Sequence, residues 1–300
     1  MDIMTNIIIG YSPSKNFAKA KHRAHMLSLS NAFDHEDLQN FEKKIVNFLN
    51  YKNHYTFEYS VEPKIDGISA SLTFKNGIFV KGLSRGDGIE GEDITENLKT
   101  IKSIPLSLSP NNIIPKILEV RGEVFINHDN FSKLNHQRLN EGKSIFANPR
   151  NCAAGSLRQL DSSVTATRPL QIYCYGLGYI EGVVINSQIE FLELLPKWGF
   201  PVNPEIQSGV GINFLNDYYN HIEFIRSNLK YDIDGVVFKI NSYQSQKLLG
   251  ARSRSPRWAI AAKLKPTQST TTINDIIVSV GRTGAITPVA QLKPVNVGGV

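Results

Sequence analysis

Residues 62–84 read EPKIDGISASLTFKNGIFVKGLS, and the reading of the whole chain turns on them. Two β-prone runs flank Asn76-Gly77, a pair that favours the left-handed backbone of a tight hairpin, so 68–83 is expected to form two antiparallel strands. Just before them, Glu62, Lys64 and Asp66 occupy alternate positions. If that stretch is extended, the three side chains share one face and can line one pocket. Gly67 leaves room for close approach of another backbone. K-x-D-G alone recurs by chance in roughly a few per cent of chains this long, and a surface turn with Lys64 and Asp66 in solvent would carry the same letters.

Working outward, DHEDLQNFEKKIVNFLNYKN places Asp34 as N-cap, acids in the first turn, and Leu38, Phe41, Ile45, Phe48 and Leu49 at helical spacing. ILEVRGEVFI, LQIYCYGLGYI and DIDGVVFKI read as further strands, with helices near 128–140, 187–198 and 212–228. The class implied is α+β. From AAKLKP onward the pattern becomes β-rich and punctuated by Gly and Pro, so a second, small β domain is expected beyond a boundary near Lys265-Pro266. The expected division is a leader over 1–16, a main domain over 17–265 and a partial β domain over 266–300.

The 300 residues are 41% hydrophobic and 20% charged, enough apolar content for packed cores. A formal charge of +6 leans weakly toward a polyanionic partner such as nucleic acid. Cys152 and Cys174 are the two cysteines; they form no CxxC pair and have no zinc-ligand spacing, so no zinc site is expected and a reducing cytoplasm suits the chain. Ile7-Ile8-Ile9 is far too short for a signal core or a membrane span. His22 and His25 have no acidic or cysteine partners at metal-ligand spacing and are given no role. For Lys64 to act as a nucleophile it must shed its proton, and an ordinary lysine is neutral only about once in a few thousand at pH 7. Nearby cations would help, and Arg85, Lys239 and Lys263 are the candidates.

EPKIDGISASL, LSRGDGIEGEDITENLKTIKSIPLSL, LEVRGEVFI, FANPRNCAAGSLRQLD, YDIDGVVFKIN and RSPRWAIAAKLKP follow one another in an order that resembles bacterial NAD-dependent DNA ligase. The resemblance covers nearly the whole chain and implies that family's adenylation (nucleotidyltransferase) domain, followed by the first strands of its OB-fold domain. By the same resemblance, Lys64 is implied to attack the α-phosphate of NAD and hold AMP through a phosphoramide bond, with Asp66 beside the reacting phosphate. Glu62 is implied to contact the adenine, Arg85 the ribose and phosphate, Glu123 the ribose, and Lys239 and Lys263 the adenylate. Asp234 belongs to the same motif as Lys239. Ser28 and Leu29 match the segment over the adenine, and Arg150 and Arg158 match residues touching nicked double-stranded DNA near its 5′-phosphate. The implied cofactors are NAD as AMP donor and Mg²⁺, acting in a monomer.

For several of these a plain structural part would suit the residues as well: a solvated arginine in a Gly-rich turn for Arg85, an outward glutamate for Glu123, a turn-capping aspartate for Asp66, helix-entry packing for Ser28 and Leu29, and an amphipathic helix for Arg150 and Arg158. The family's nicotinamide-gripping N-terminal module and its zinc-finger, helix-hairpin-helix and BRCT regions are not recognisable here, so the chain reads as an excised core or a truncated product. Ile65, Cys152 and Ala262 are small departures from the family pattern. A non-catalytic nucleotide- or DNA-binding remnant is the alternative of a different class. An ATP-dependent ligase or capping enzyme shares the K-x-D-G logic but not RGDGIEGEDITEN or NPRNCAAGSLRQLD.

Overall fold

Asn76 and Gly77 adopt φ of 48° and 80°, the left-handed pair that closes the hairpin between strands Ile68–Lys75 and Ile78–Ser84. This computed structural model describes residues 17–51, 56–110, 113–252, 255–265, 270–281 and 283–295; the leader expected over 1–16 and Pro266 lie outside them. The hairpin is one edge of a four-stranded antiparallel sheet, ordered Ile78–Ser84, Ile68–Lys75, Ile117–Phe125, Gln171–Glu181. A second, five-stranded sheet runs Ser30–Ala32, Ala259–Lys263, Ile233–Ile240, Glu58–Ile65, Gln207–Val210, with only the first pair parallel.

Each sheet has its own core. Helices Thr95–Lys99, Pro149–Leu157 and Gln188–Trp198 pack on the four-stranded sheet, around Leu72, Phe74, Val120, Phe191, Trp198 and Phe200. Phe74 and Phe200 meet edge to face at 5.2 Å between ring centroids. Full burial of side chains of this size contributes about 1.5–3 kcal/mol each. Helices His35–Phe48, Gly211–Ile225 and Tyr243–Leu249 cover the five-stranded sheet, around Ile45, Tyr59, Val61, Leu215, Val236 and Phe238. Asp34 caps the first of these helices, its Oδ1 accepting from the Asp37 N–H at 2.9 Å.

Beyond Leu264 the chain forms a separate unit, in which Ile273–Val280 and Ile286–Leu292 pair antiparallel. The helix considered around Arg150 forms over Pro149–Leu157, whereas strands Ser30–Ala32, Gln207–Val210 and Ala259–Lys263 and helix Tyr243–Leu249 were not legible in the sequence. They are short, and an alanine-rich run such as AIAAK has little β propensity until it is sandwiched between strands.

Candidate active site

The chain steps from the five-stranded sheet to the four-stranded one in two residues, Asp66 and Gly67. A Cβ at Gly67 would lie 2.3 Å from the Val124 carbonyl oxygen, so the crossing tolerates no side chain there. Glu62 and Lys64 reach the cavity between the sheets, as alternation predicts. Asp66 is not itself among the residues lining the cavity. The strand ends at Ile65, and the Asp66 carboxylate turns instead to the Arg150 guanidinium, which is itself at the cavity wall.

Across three neighbouring strands, Lys64, Gly235 and Lys263 stand opposite one another. Gly235 is obligatory in this row, because a Cβ there would fall 2.4 Å from the Ala262 carbonyl oxygen. Asp234 is the extra residue of a bulge between Ile233 and Gly235. Its carboxylate meets Lys64 Nζ at 2.9 Å and Lys263 Nζ at 2.8 Å. Burial pushes the Asp234 pKa up, but hydrogen bonds from Lys263 and Lys64 outweigh it and leave the group below the usual carboxylate range. A carboxylate thus stands between Lys64 and Lys263, one of the three candidate cations.

Deeper in, Lys239 Nζ lies 2.6 Å from Glu62 Oε1, and the two residues are only 6% and 5% exposed. Lys239 also donates to the Tyr175 carbonyl at 2.8 Å and lies 5.2 Å from the centre of the Tyr175 ring. Burial drives the Glu62 pKa upward against the pull of Lys239. Glu62 Oε2 is buried with no hydrogen-bond partner among the described residues. On the opposite wall Ser69 donates to Glu123 Oε2 at 2.7 Å. Burial pushes the Glu123 pKa up to about 7, against the opposing hydrogen bond from Ser69 and the charges of Lys64 and Arg150.

The cavity holds about 740 Å³, within the range of small-molecule sites, and Ser28, Leu29, Arg85, Glu123, Arg150 and Lys239 line it together with Glu62 and Lys64. Arg85 Nη2 donates to Ser28 Oγ at 2.6 Å. Lys263 reaches the site through Asp234 and Asp66 through Arg150. Arg158 stands apart, paired with Glu92 at 2.7 Å. Reading the sequence missed Arg121, Ser69, Tyr175 and Trp258, which also line the cavity. Arg121 was recoverable, because it lies two residues before Glu123 and so on the same strand face. Tyr173 and Tyr175 flank the fully buried Cys174, so the same alternation marked them. Trp258 gave no signal. His22, given no role, is buried, with Nε2 3.1 Å from the Arg85 carbonyl oxygen.

Two mainly antiparallel sheets, flanked by helices, thus face each other across a cavity with a strand-borne lysine in its wall. The family model described as NAD-dependent DNA ligase adenylation domain matches residues 14–267, and that of the NAD-dependent DNA ligase OB-fold domain matches 270–300. The chain belongs to the NAD-dependent DNA ligase family, as its adenylation domain and the start of its OB-fold domain. A DNA ligase of Pelagibacter ubique is 53% identical over 97% of this chain and 42% of its own length. One of Thermodesulfovibrio yellowstonii is 47% identical over 97% of this chain and 43% of its own length. The chain therefore spans less than half of these relatives. Among solved structures, the ATP-dependent DNA ligase of bacteriophage T7 in complex with ATP is 13% identical, with a TM-score of 0.36 over 83% of this chain and 78% of that one.

Proposed function

We propose that this chain is the catalytic core of an NAD-dependent DNA ligase, in which Lys64 takes AMP from NAD and passes it to the 5′-phosphate of a nick, for displacement by the 3′-hydroxyl. The observation that carries the reading is one cavity bringing together Lys64, Glu62, Lys239, Arg85 and Glu123, drawn from distant parts of the chain.

NAD's adenosine half fits this cavity. The Glu62 carboxylate, in the cavity lining, accepts the exocyclic amine of the adenine, beside the Lys239 ammonium. Glu123 and Arg85 hold the ribose and phosphate, and Ser28 and Leu29 cover the base. Attack needs the free amine, so Lys64 gives up a proton to solvent and its contact to Asp234 loosens. Lys64 Nζ then bonds to the α-phosphorus, the bond to the pyrophosphate's bridging oxygen breaks, and nicotinamide mononucleotide departs. Lys263, Lys239 and Arg85 stabilise the charge that moves to the phosphate oxygens, while Asp66 and Arg150 lie beside the reacting group.

No group of three or more His, Cys, Asp or Glu among the described residues could hold a metal. Mg²⁺, when bound with the substrate, would supply charge neutralisation at its phosphates. Arg150 and Arg158 supply part of a sequence-independent grip on nicked DNA. No helix among the described residues is long and apolar enough to cross a membrane; action as a monomer in the cytoplasm completes the reading. The adenylation domain over 17–265 and the partial OB-fold over 266–300 are the working units.

The test is intact-mass spectrometry after long incubation with saturating NAD. The parent should gain one adenylyl group, mapping to Lys64, and Lys64→Ala should gain none. An adduct that survives in the variant, maps to another residue, or never forms on the parent overturns the assignment.

A further inference from the structure

Residues 22–29 join strand Lys19–Lys21 to strand Ser30–Ala32 with no regular structure of their own, yet Ala24 to Leu29 line the cavity continuously. An irregular strap over a binding site has little intrinsic preference for one conformation, so something must hold it. Part of the answer lies at one edge. The His22 N–H donates to the Ile89 carbonyl and the Met26 N–H to the Gly88 carbonyl, each at 2.9 Å.

The rest comes from strand Ile117–Phe125, beneath the strap. Glu119, 2% exposed, accepts the Arg23 N–H on Oε2 at 3.3 Å. Arg121, two residues on and therefore on the same face, donates from Nη2 to the Ala24 carbonyl at 2.8 Å. The two side chains lie 3.8 Å apart, so a buried carboxylate and a guanidinium hold successive residues of the strap, one taking its donor and the other its acceptor. The neighbouring strand is shaped for this. Its register shifts between Glu119 and Val120, leaving Gly178 as the extra residue, and a Cβ at Gly178 would lie 2.3 Å from Glu119 Oε1. The bulge and the missing side chain make room for the carboxylate.

We propose that Glu119 and Arg121 are positioning residues for nucleotide binding: they fix the strap over the adenine side of the cavity without Glu119 touching the ligand. The proposal rests on the nucleotide-binding reading given above. Glu119 does not line the cavity, whereas the strap it holds does. Losing a buried charge-assisted hydrogen bond and freeing the strap should weaken nucleotide binding by about tenfold or more.

Amide hydrogen exchange and AMP titration on the whole chain test this. Glu119→Ala should speed exchange in 22–29 by about tenfold or more, leave strands Glu58–Ile65 and Ile233–Ile240 protected as in the parent, and raise the Kd for AMP by a similar factor. Glu119→Gln, which keeps an acceptor for the Arg23 N–H, should fall between parent and alanine variant. In single turnover with NAD, the loss should appear in KM, with kcat nearly unchanged. If Glu119→Ala does not fold, Glu119→Gln decides alone: faster exchange in the strap with weaker AMP binding supports the anchor, and parent values for both overturn it. Exchange that rises throughout the fold, or a loss confined to kcat, also overturns it. Absence of AMP binding by the parent would strike the nucleotide reading instead, while the exchange comparison would still decide the anchor.

Discussion

The Lys239–Glu62 pair offers a sharp quantitative test, because both partners are nearly inaccessible and only 2.6 Å apart. Lys239→Met removes the cation but keeps most of the side-chain volume. Glu62 is then left as a buried carboxylate, with Oε2 already lacking a hydrogen bond. Breaking one side of a buried pair costs about 3–5 kcal/mol. For a domain of this size that corresponds to a fall in Tm on the order of 10 °C.

The pH dependence has a definite sign. Burial already raises the Glu62 pKa, and Lys239 opposes it; without Lys239 the rise is larger. A carboxyl group raised in the folded state contributes stability at low pH and loses it as pH climbs through the folded value. The variant should therefore be closest to the parent near pH 5 and furthest from it near pH 8, as read by thermal melts followed by circular dichroism. Adding Glu62→Gln should recover about 2 kcal/mol or more as coupling. A cost under about 1 kcal/mol at pH 8, or one that does not change with pH, would refute the account of the pair.

Glu123, raised from 4.5 to about 7, should lose its stabilising contribution as pH rises across that interval. The Tm of the parent relative to Glu123→Gln should thus fall from pH 5 to pH 8, and a constant difference would contradict the shift. Gly235→Ala forces a contact of 2.4 Å with the Ala262 carbonyl oxygen; denaturant unfolding should show a loss of about 1–3 kcal/mol, and AMP binding should weaken with it. The double variant Arg150→Ala/Arg158→Ala should bind nicked duplex more weakly, with the slope of log affinity against log salt reduced by about 2. An unchanged slope would remove both arginines from the phosphate contacts.

How much of this was legible depended on whether a residue's task was set by local geometry. Asn76-Gly77 fixed a hairpin because its backbone requirement is local, and Asp34 capped its helix for the same reason. Alternation along Glu58–Ile65 put Glu62 and Lys64 on one face but could not show that the strand stops before Asp66, since that depends on where the other sheet begins. The bulge at Asp234 was likewise invisible, because a bulge belongs to a pair of strands and only one of them was being read. Without it, two lysines sharing one carboxylate could not be foreseen. Glu119 went unnoticed inside LEVRGEVFI because its partners, Arg23 and Gly178, are remote in sequence and carry no chemical mark of their own.

Two covalent crossings join the sheets, one the long segment between Glu181 and Gln207 and the other only Asp66 and Gly67. A rotation of one sheet against the other displaces each atom in proportion to its distance from the axis, and the shorter crossing leaves that axis little freedom to lie elsewhere. Lys64 is the second residue before the crossing, on a short lever arm. The strap over 22–29 is held through Glu119 and Arg121, which stand opposite Thr73 and Ser71, further along the sheet from this pivot, and so has a longer arm. Opening the cavity wide enough to admit or release a nucleotide can therefore carry the cover through a large arc while the reactive nitrogen scarcely moves.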